Sequence, residues 1–309
     1  SLLYCVIVLL LLSNIFVLIS KQIHIPVVIS LIYFGIILSF SSFLKKIIIP
    51  HLNEISILGD IGLILLMFIA GVKSSDYFYN KNFKDTILIS FISFFSSFTI
   101  SFILSKFLGF NNLVSTIIAV CMSVTGESVI TKVLMENDML NSDIGSLIMG
   151  SGLIDDITGI ILFTIILYNF SSEIVYREYI NLFCILSLFI LGFVYKKKIT
   201  NYKLYNFFEK SVMVLLVPFF FIYMGINVDI SSSTNFKFIF LLIIIAIIGK
   251  VGGTLIAKPF VKPNLEQLHL IGWGLNTRGG IGIALTLIAV RNKIISKQIY
   301  SSLVIVILM

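Results

Sequence analysis

The sequence predicts an all-α, polytopic membrane helix bundle of about eleven helices. Of its 309 residues, 58% are hydrophobic and only 12% charged, and the mean hydropathy is +1.09. A soluble domain is nearer half apolar and a quarter charged, and could not hide this much apolar surface in one core. The apolar residues also fall in long blocks, many reaching the ~18 residues that mark a membrane-crossing helix. The blocks lack the strand-like alternation that a closed membrane barrel needs.

In chain order, helices are expected at roughly 1–20, 25–44, 56–72, 86–107, 113–135, 143–169, 179–195, 211–228, 237–257, 267–290 and 299–309. The first block lacks a basic leader and a small-residue cleavage site, so it reads as a helix and not a signal peptide. Ser1 opens directly into that block and Met309 sits inside the last one, so both ends read as cut. The block at 56–72 opens at Asp60, which reads as interfacial. The blocks at 113–135 and 267–290 are interrupted midway by glycines, polar groups and a charge. Lys196 to Lys210 reads as a basic loop. Asn227 and Asp229 read as the end of the helix that contains Pro218. No separate soluble domain is expected.

The net charge of +7 does not point to nucleic acid. The basic residues mostly occupy short loops between apolar blocks, where they set membrane orientation. Counted over alternate loops they divide about 12 to 8, which places the N-terminus outside. Cys5, Cys121 and Cys184 stand alone within apolar blocks, as packing residues do. His24, His51 and His269 are scattered, so neither a disulfide framework nor a metal cluster is expected, and no cofactor is implied.

A charge near the bilayer centre costs at least ~2.5–3.5 kcal/mol, so it persists where it faces a cavity, pairs or works. Three places carry such charges. Within Gly150-Ser151-Gly152-Leu153-Ile154-Asp155-Asp156-Ile157-Thr158-Gly159, two adjacent carboxylates lie near the middle of one helix. Helical neighbours diverge by about 100°, so each aspartate needs its own surroundings. Two such carboxylates in low dielectric resist carrying full charge together. This is the chemistry of a site that exchanges a proton for a cation. The glycines and Ser151 let another backbone approach. Lys250 lies deep in the block at 237–257 and needs a counter-ion, which either Asp155 or Asp156 can supply.

The third place is the pair of interruptions, Thr125-Gly126-Glu127-Ser128 and Asn276-Thr277-Arg278-Gly279. Broken helices at membrane depth are tolerated only where they line protein or water, and paired breaks are the sequence pointer to a transport site. Carbonyls at the half-helix C-termini could coordinate a cation, while Glu127 and Arg278 could compensate half-helix dipoles. Each break is preceded and followed by a helix, the last one truncated, in the order expected of an inverted repeat.

These motifs, together with Gly62 to Gly71, Pro218 to Gly225 and Gly249-Lys250-Val251-Gly252-Gly253, run in order over nearly the whole chain. In them the chain resembles the monovalent cation/proton antiporter superfamily, in the branch of NapA-type and Kef-type transporters. The resemblance implies an elevator-type antiporter, not an enzyme, that exchanges Na+ or K+ for protons and forms a homodimer in a lipid bilayer. It implies a core of about 86–169 and 237–309 and a scaffold or dimerisation part of about 1–72 and 179–228. Asp156 would bind cation and proton in turn, Asp155 would pair with Lys250, and Thr125 and Ser128 would contribute beside them. Asn276, Thr277, Arg278 and Glu127 would serve the breaks. An Asp-Asp pair is associated in such families with electrogenic exchange.

The chain departs from the family pattern twice. Two helices, at 179–195 and 211–228, stand between the aspartate and lysine helices where the family has four. Glu127 occupies a break position where a small or apolar residue is expected. A Kef-like potassium efflux component and an inactive shortened homologue are the alternatives. An intramembrane aspartyl protease is set aside, because its aspartates must face each other from different helices.

Overall fold

A computed structural model describes residues 2–22, 25–41, 46–78, 82–140, 142–170, 176–196, 202–229 and 236–308. Among them there are helices and no strands. Six helices are long and apolar enough to cross a membrane, beginning with Leu2–Ser20 and ending with Phe236–Phe260. The chain is an integral, multi-pass membrane protein. Helix contacts divide it into two compact units, residues 1–75 with 180–228 and residues 76–179 with 229–309.

The first unit contains α1 (Leu2–Gln22), α2 (Val27–Phe40), α3 (Leu52–Phe78), α8 (Tyr176–Tyr195), α9 (Tyr202–Leu215) and α10 (Val217–Ile226), with the ends of α3 and α8 reaching past its limits. Glycines set its helix spacing. A Cβ on Gly35 of α2 would lie 2.3 Å from the Ile222 carbonyl oxygen of α10, and one on Gly225 would lie 2.2 Å from that of Ile32. Gly71 of α3 and Gly192 of α8 have the same reciprocal relation. Small residues at a membrane helix interface allow this close approach.

The stretch read as a basic loop is largely helical, since α9 begins at Tyr202; residues 197–201 lie outside the described residues. Its charges obscured a stripe of half-buried and buried residues, Tyr205, Phe208, Glu209 and Val212, at helical spacing. Glu209 accepts an ion-paired hydrogen bond from Lys73, which lies within α3 and not in a loop. A break at Leu216 separates α9 from α10, where Pro218 supplies no backbone N–H. Asn227 then caps the end of α10. Asp60, read as interfacial, is buried in α3.

The second unit contains α4 (Phe83–Phe107), α5 (Asn112–Ser123), α6 (Glu127–Glu136), α7 (Asp143–Phe170), α11 (Phe236–Ile256), α12 (Leu265–Leu275), α13 (Gly280–Arg291) and α14 (Lys297–Leu308). More than eleven helices result, because the predicted segments 113–135 and 267–290 are each two helices and α9 and α10 are distinct. A 12-residue helix spans about 18 Å, well short of the ~30 Å hydrocarbon core, so α5 and α13 cannot cross alone. Asn111 caps α5 by accepting from the Val114 amide at 2.8 Å, and Asn264 with Gln267 forms a capping box at the start of α12. One apolar core joins α4, α6, α7, α11 and α12 through Ile89, Ile130, Ile148, Leu255 and Leu268.

Candidate functional site

Helix α7 carries Asp155 at depth because neighbouring segments supply three donors to it. It runs parallel to α4 in fixed register. The Ser151 hydroxyl donates to the Thr86 carbonyl at 3.1 Å, and the Ser90 hydroxyl donates to Asp155 Oδ1 at 2.6 Å. One turn further, a Cβ on Gly159 would lie 3.8 Å from the Phe94 ring. The same offset of 65 residues relates both hydrogen-bonded pairs.

Asp155 is fully buried. Its Oδ2 accepts from Thr125 Oγ1 at 2.6 Å and from Lys250 Nζ at 2.5 Å. Lys250, also fully buried, donates further to Thr125 Oγ1 at 3.2 Å, and its ammonium stands 5.8 Å from the centre of the Phe94 ring. A buried charge is tolerable when paired and hydrogen-bonded, and this pair is both. The aspartate facing Lys250 is therefore Asp155. Asp156, its neighbour along α7, is 5% exposed.

Lys250 reaches this depth because α11 lies against α4 along a glycine-serine seam. A Cβ on Gly249 would lie 2.6 Å from Ser97 Cα, and one on Gly253 2.7 Å from Ser93 Cα.

The two breaks cross. The Gly126 amide donates to the Thr277 carbonyl at 2.7 Å, and the Thr277 hydroxyl donates to the Gly126 carbonyl at 3.1 Å. A Cβ on Gly126 would lie 2.2 Å from the Arg278 carbonyl carbon, and one on Gly279 2.4 Å from Gly126 Cα. Only glycine fits either position. The Thr125 hydroxyl also lies 3.2 Å from the Leu275 carbonyl at the end of α12.

Arg278 serves the end of α5. Its guanidinium donates to the Met122 carbonyl and, at 3.0 Å, to that of Val124, with a longer contact of 3.4 Å to Ala246 of α11. Ser97 donates to the same Met122 carbonyl at 2.9 Å. A cation at a helix C-terminus answers the partial negative charge gathered there. Two of the carbonyls available to a cation are thus bound by the protein's own arginine. Asn276 caps α12, its side-chain oxygen 3.5 Å from Arg278. Glu127 and Ser128 begin α6, and their side chains lie outside the described residues.

The structure therefore gathers Asp155, Lys250 and Thr125 directly, joins Thr277 and Arg278 to them through the crossing, and holds Asp156 buried alongside. Sequence reasoning missed Ser90, Ser97 and Phe94 of α4. Their signal was the recurrence of Ser90, Ser93, Ser97, Ser101 and Ser105 at helical spacing, all buried. Among the described residues no three His, Cys, Asp or Glu side chains cluster as a metal site would require.

The family model described as "Sodium/hydrogen exchanger, transmembrane" matches residues 7–209 and 174–309. A Na(+)/H(+) antiporter of Synechocystis sp., NhaS4, is 24% identical over 357 aligned positions, covering 91% of this chain and 87% of its own. A Na(+)/H(+) antiporter of Enterococcus hirae is 22% identical over 350, covering 94% and 90%. Both alignments are longer than the 309-residue chain, so these relatives carry internal stretches with no counterpart here. Among solved structures, the sodium proton antiporter MjNhaP1 of Methanocaldococcus jannaschii superposes with a TM-score of 0.76 at 16% identity, over 98% of this chain and 92% of that one. At that identity the likeness speaks to fold alone.

Proposed function

The chain belongs to the sodium/hydrogen exchanger family, and from that premise we propose that it exchanges Na+ for protons, with Asp156 as the carboxylate that carries each in turn. One observation carries the reading. A fully buried Asp155–Lys250 pair, bonded to Thr125 at the crossing of two broken helices, lies next along α7 to a second buried aspartate, Asp156. Deprotonated Asp156 binds the cation on one side of the membrane. The unit of residues 76–179 and 229–309 then moves as the core of an elevator, with the unit of residues 1–75 and 180–228 as its scaffold and dimer surface. On the other side a proton displaces the cation. Competition for a single carboxylate is enough to couple the two ions.

Proton flux in proteoliposomes under an imposed pH gradient tests this, with Na+, K+ or Li+ added in turn. Na+-dependent flux that disappears in Asp156→Asn supports it. Flux with K+ alone would change the cargo. Folded protein with no flux for any cation would mark a shortened, inactive homologue, a reading favoured by the internal stretches the chain lacks. Because proton and cation compete, the apparent affinity for Na+ falls as pH falls. Na+ affinity that did not change with pH would sink the mechanism.

A further inference from the structure

An exchanger that buries a lysine beside its ion site contains a competitor for that site. The Lys250 ammonium is a cation within electrostatic reach of Asp156, and the charges of Asp155 and Arg278 act on it as well. Were Lys250 to turn onto Asp156, it would occupy the carboxylate that the transported cation needs. We propose that Ser90 is a positioning residue that fixes the carboxylate of Asp155 so that Lys250 stays on Asp155 and off Asp156.

The proposal rests on the antiport reading and on three geometric facts. Asp155 uses both oxygens: Ser90 holds Oδ1, while Thr125 and Lys250 share Oδ2. The carboxylate plane is thereby set by a donor on each side. Without Ser90, both remaining donors sit on one oxygen, and the group is free to swing about χ2, a broad and soft torsion for aspartate. Ser90 itself cannot drift. It sits on α4 between the Ser151–Thr86 hydrogen bond one turn before it and the Phe94–Gly159 contact one turn after. Its backbone carbonyl is held by the Ser93 hydroxyl at 3.1 Å. The same helix face places Phe94 beneath the ammonium, a second restraint on where Lys250 points.

A buried serine in a membrane helix commonly turns its hydroxyl back to the carbonyl three or four residues before it. Ser93, Ser105 and Ser123 do so here. Ser90 instead reaches across to another helix and donates to an ionised group, the stronger kind of hydrogen bond.

The test compares Ser90→Ala, Ser90→Thr and the unaltered protein by two readouts, Na+-dependent proton flux in proteoliposomes and stabilisation of the detergent-solubilised protein by Na+. Ser90→Ala is expected to raise both the KM for Na+ and the Na+ concentration giving half-maximal stabilisation by threefold or more. Flux at saturating Na+ should change by less than twofold. A merely structural role would lower the amount of active protein and leave KM in place. Ser90→Thr keeps the hydroxyl and should return KM to within twofold of the unaltered protein. Ser90→Cys, near in shape but a weak donor, gives the same comparison should the alanine variant fail to fold. An unchanged KM in both Ser90→Ala and Ser90→Cys, in protein that still exchanges Na+, overturns the assignment and leaves the antiport reading standing. Unaltered protein that neither exchanges nor is stabilised by any cation overturns both.

Discussion

Glycines bring backbones together in both units of the chain, with different consequences. In the unit of residues 1–75 and 180–228, Gly35 meets Gly225 and Gly71 meets Gly192, each glycine lying inside a helix. Close packing is what the contact provides there. In the unit of residues 76–179 and 229–309, Gly126 meets Gly279 where both helices have stopped. Carbonyls at Met122 and Val124 are left over, and Arg278 is brought in to bind them. Close approach between whole helices calls for small residues alone. Between broken ones it also calls for charge: Asp155, Lys250 and Arg278 lie buried in the unit where two breaks cross, while Asp60 is a buried charge of the other.

This contrast can be broken most severely at Asp156. Asp156→Asn should reduce Na+-dependent proton flux at least a hundredfold while thermal stability in detergent changes little. A variant that still exchanges would shift the ion site elsewhere. Next comes Lys250→Ala, which strands the buried charge of Asp155. Breaking a buried pair in this way costs about 3–5 kcal/mol. Its thermal denaturation should fall sharply, and adding Asp155→Asn should restore part of the loss. Equal loss in the single and double variants would argue that the pair is not coupled.

Gly126→Ala and Gly35→Ala sharpen the comparison directly, since either methyl would strike backbone within 2.3 Å. Gly126→Ala should abolish flux in whatever protein folds. Gly35→Ala should lower stability and leave the KM for Na+ unchanged in the surviving fraction. The smallest effect is expected at Lys73→Ala. Its side chain is 56% exposed in the pair with Glu209, and such pairs contribute about 0–1 kcal/mol. Its melting temperature and flux should match the unaltered protein within error.

The sequence made the helices legible because hydrocarbon demands long apolar blocks, and it made the breaks legible because glycine, threonine and charge interrupted two of them. Asp155, Asp156 and Lys250 stood out for the same reason: charge at that depth is costly. The pairing of Lys250 with one aspartate over the other was not readable from the residues, since it depends on which way α7 faces. Ser90 was hidden because serines in a membrane helix read equally as packing residues. Helix α9 was hidden because Lys203, Glu209 and Lys210 masked the spacing of Tyr205, Phe208 and Val212. Arg278 was read as compensating the facing half-helix dipole, but that it does so by binding the Met122 and Val124 carbonyls is visible only in the crossing.

The register of α4 with α7 also fixes a matter of parity. Thr86, Ser90 and Phe94 meet Ser151, Asp155 and Gly159 in the same order, so the two helices point the same way. Had the segment between them, α5 with α6, dipped into the bilayer and returned to the face it came from, α7 would run opposite to α4. The shared direction means that this broken segment passes from one face of the bilayer to the other as a single traverse. Its two halves open toward opposite compartments, and Thr125 and Gly126 stand at the point where one half gives way to the other.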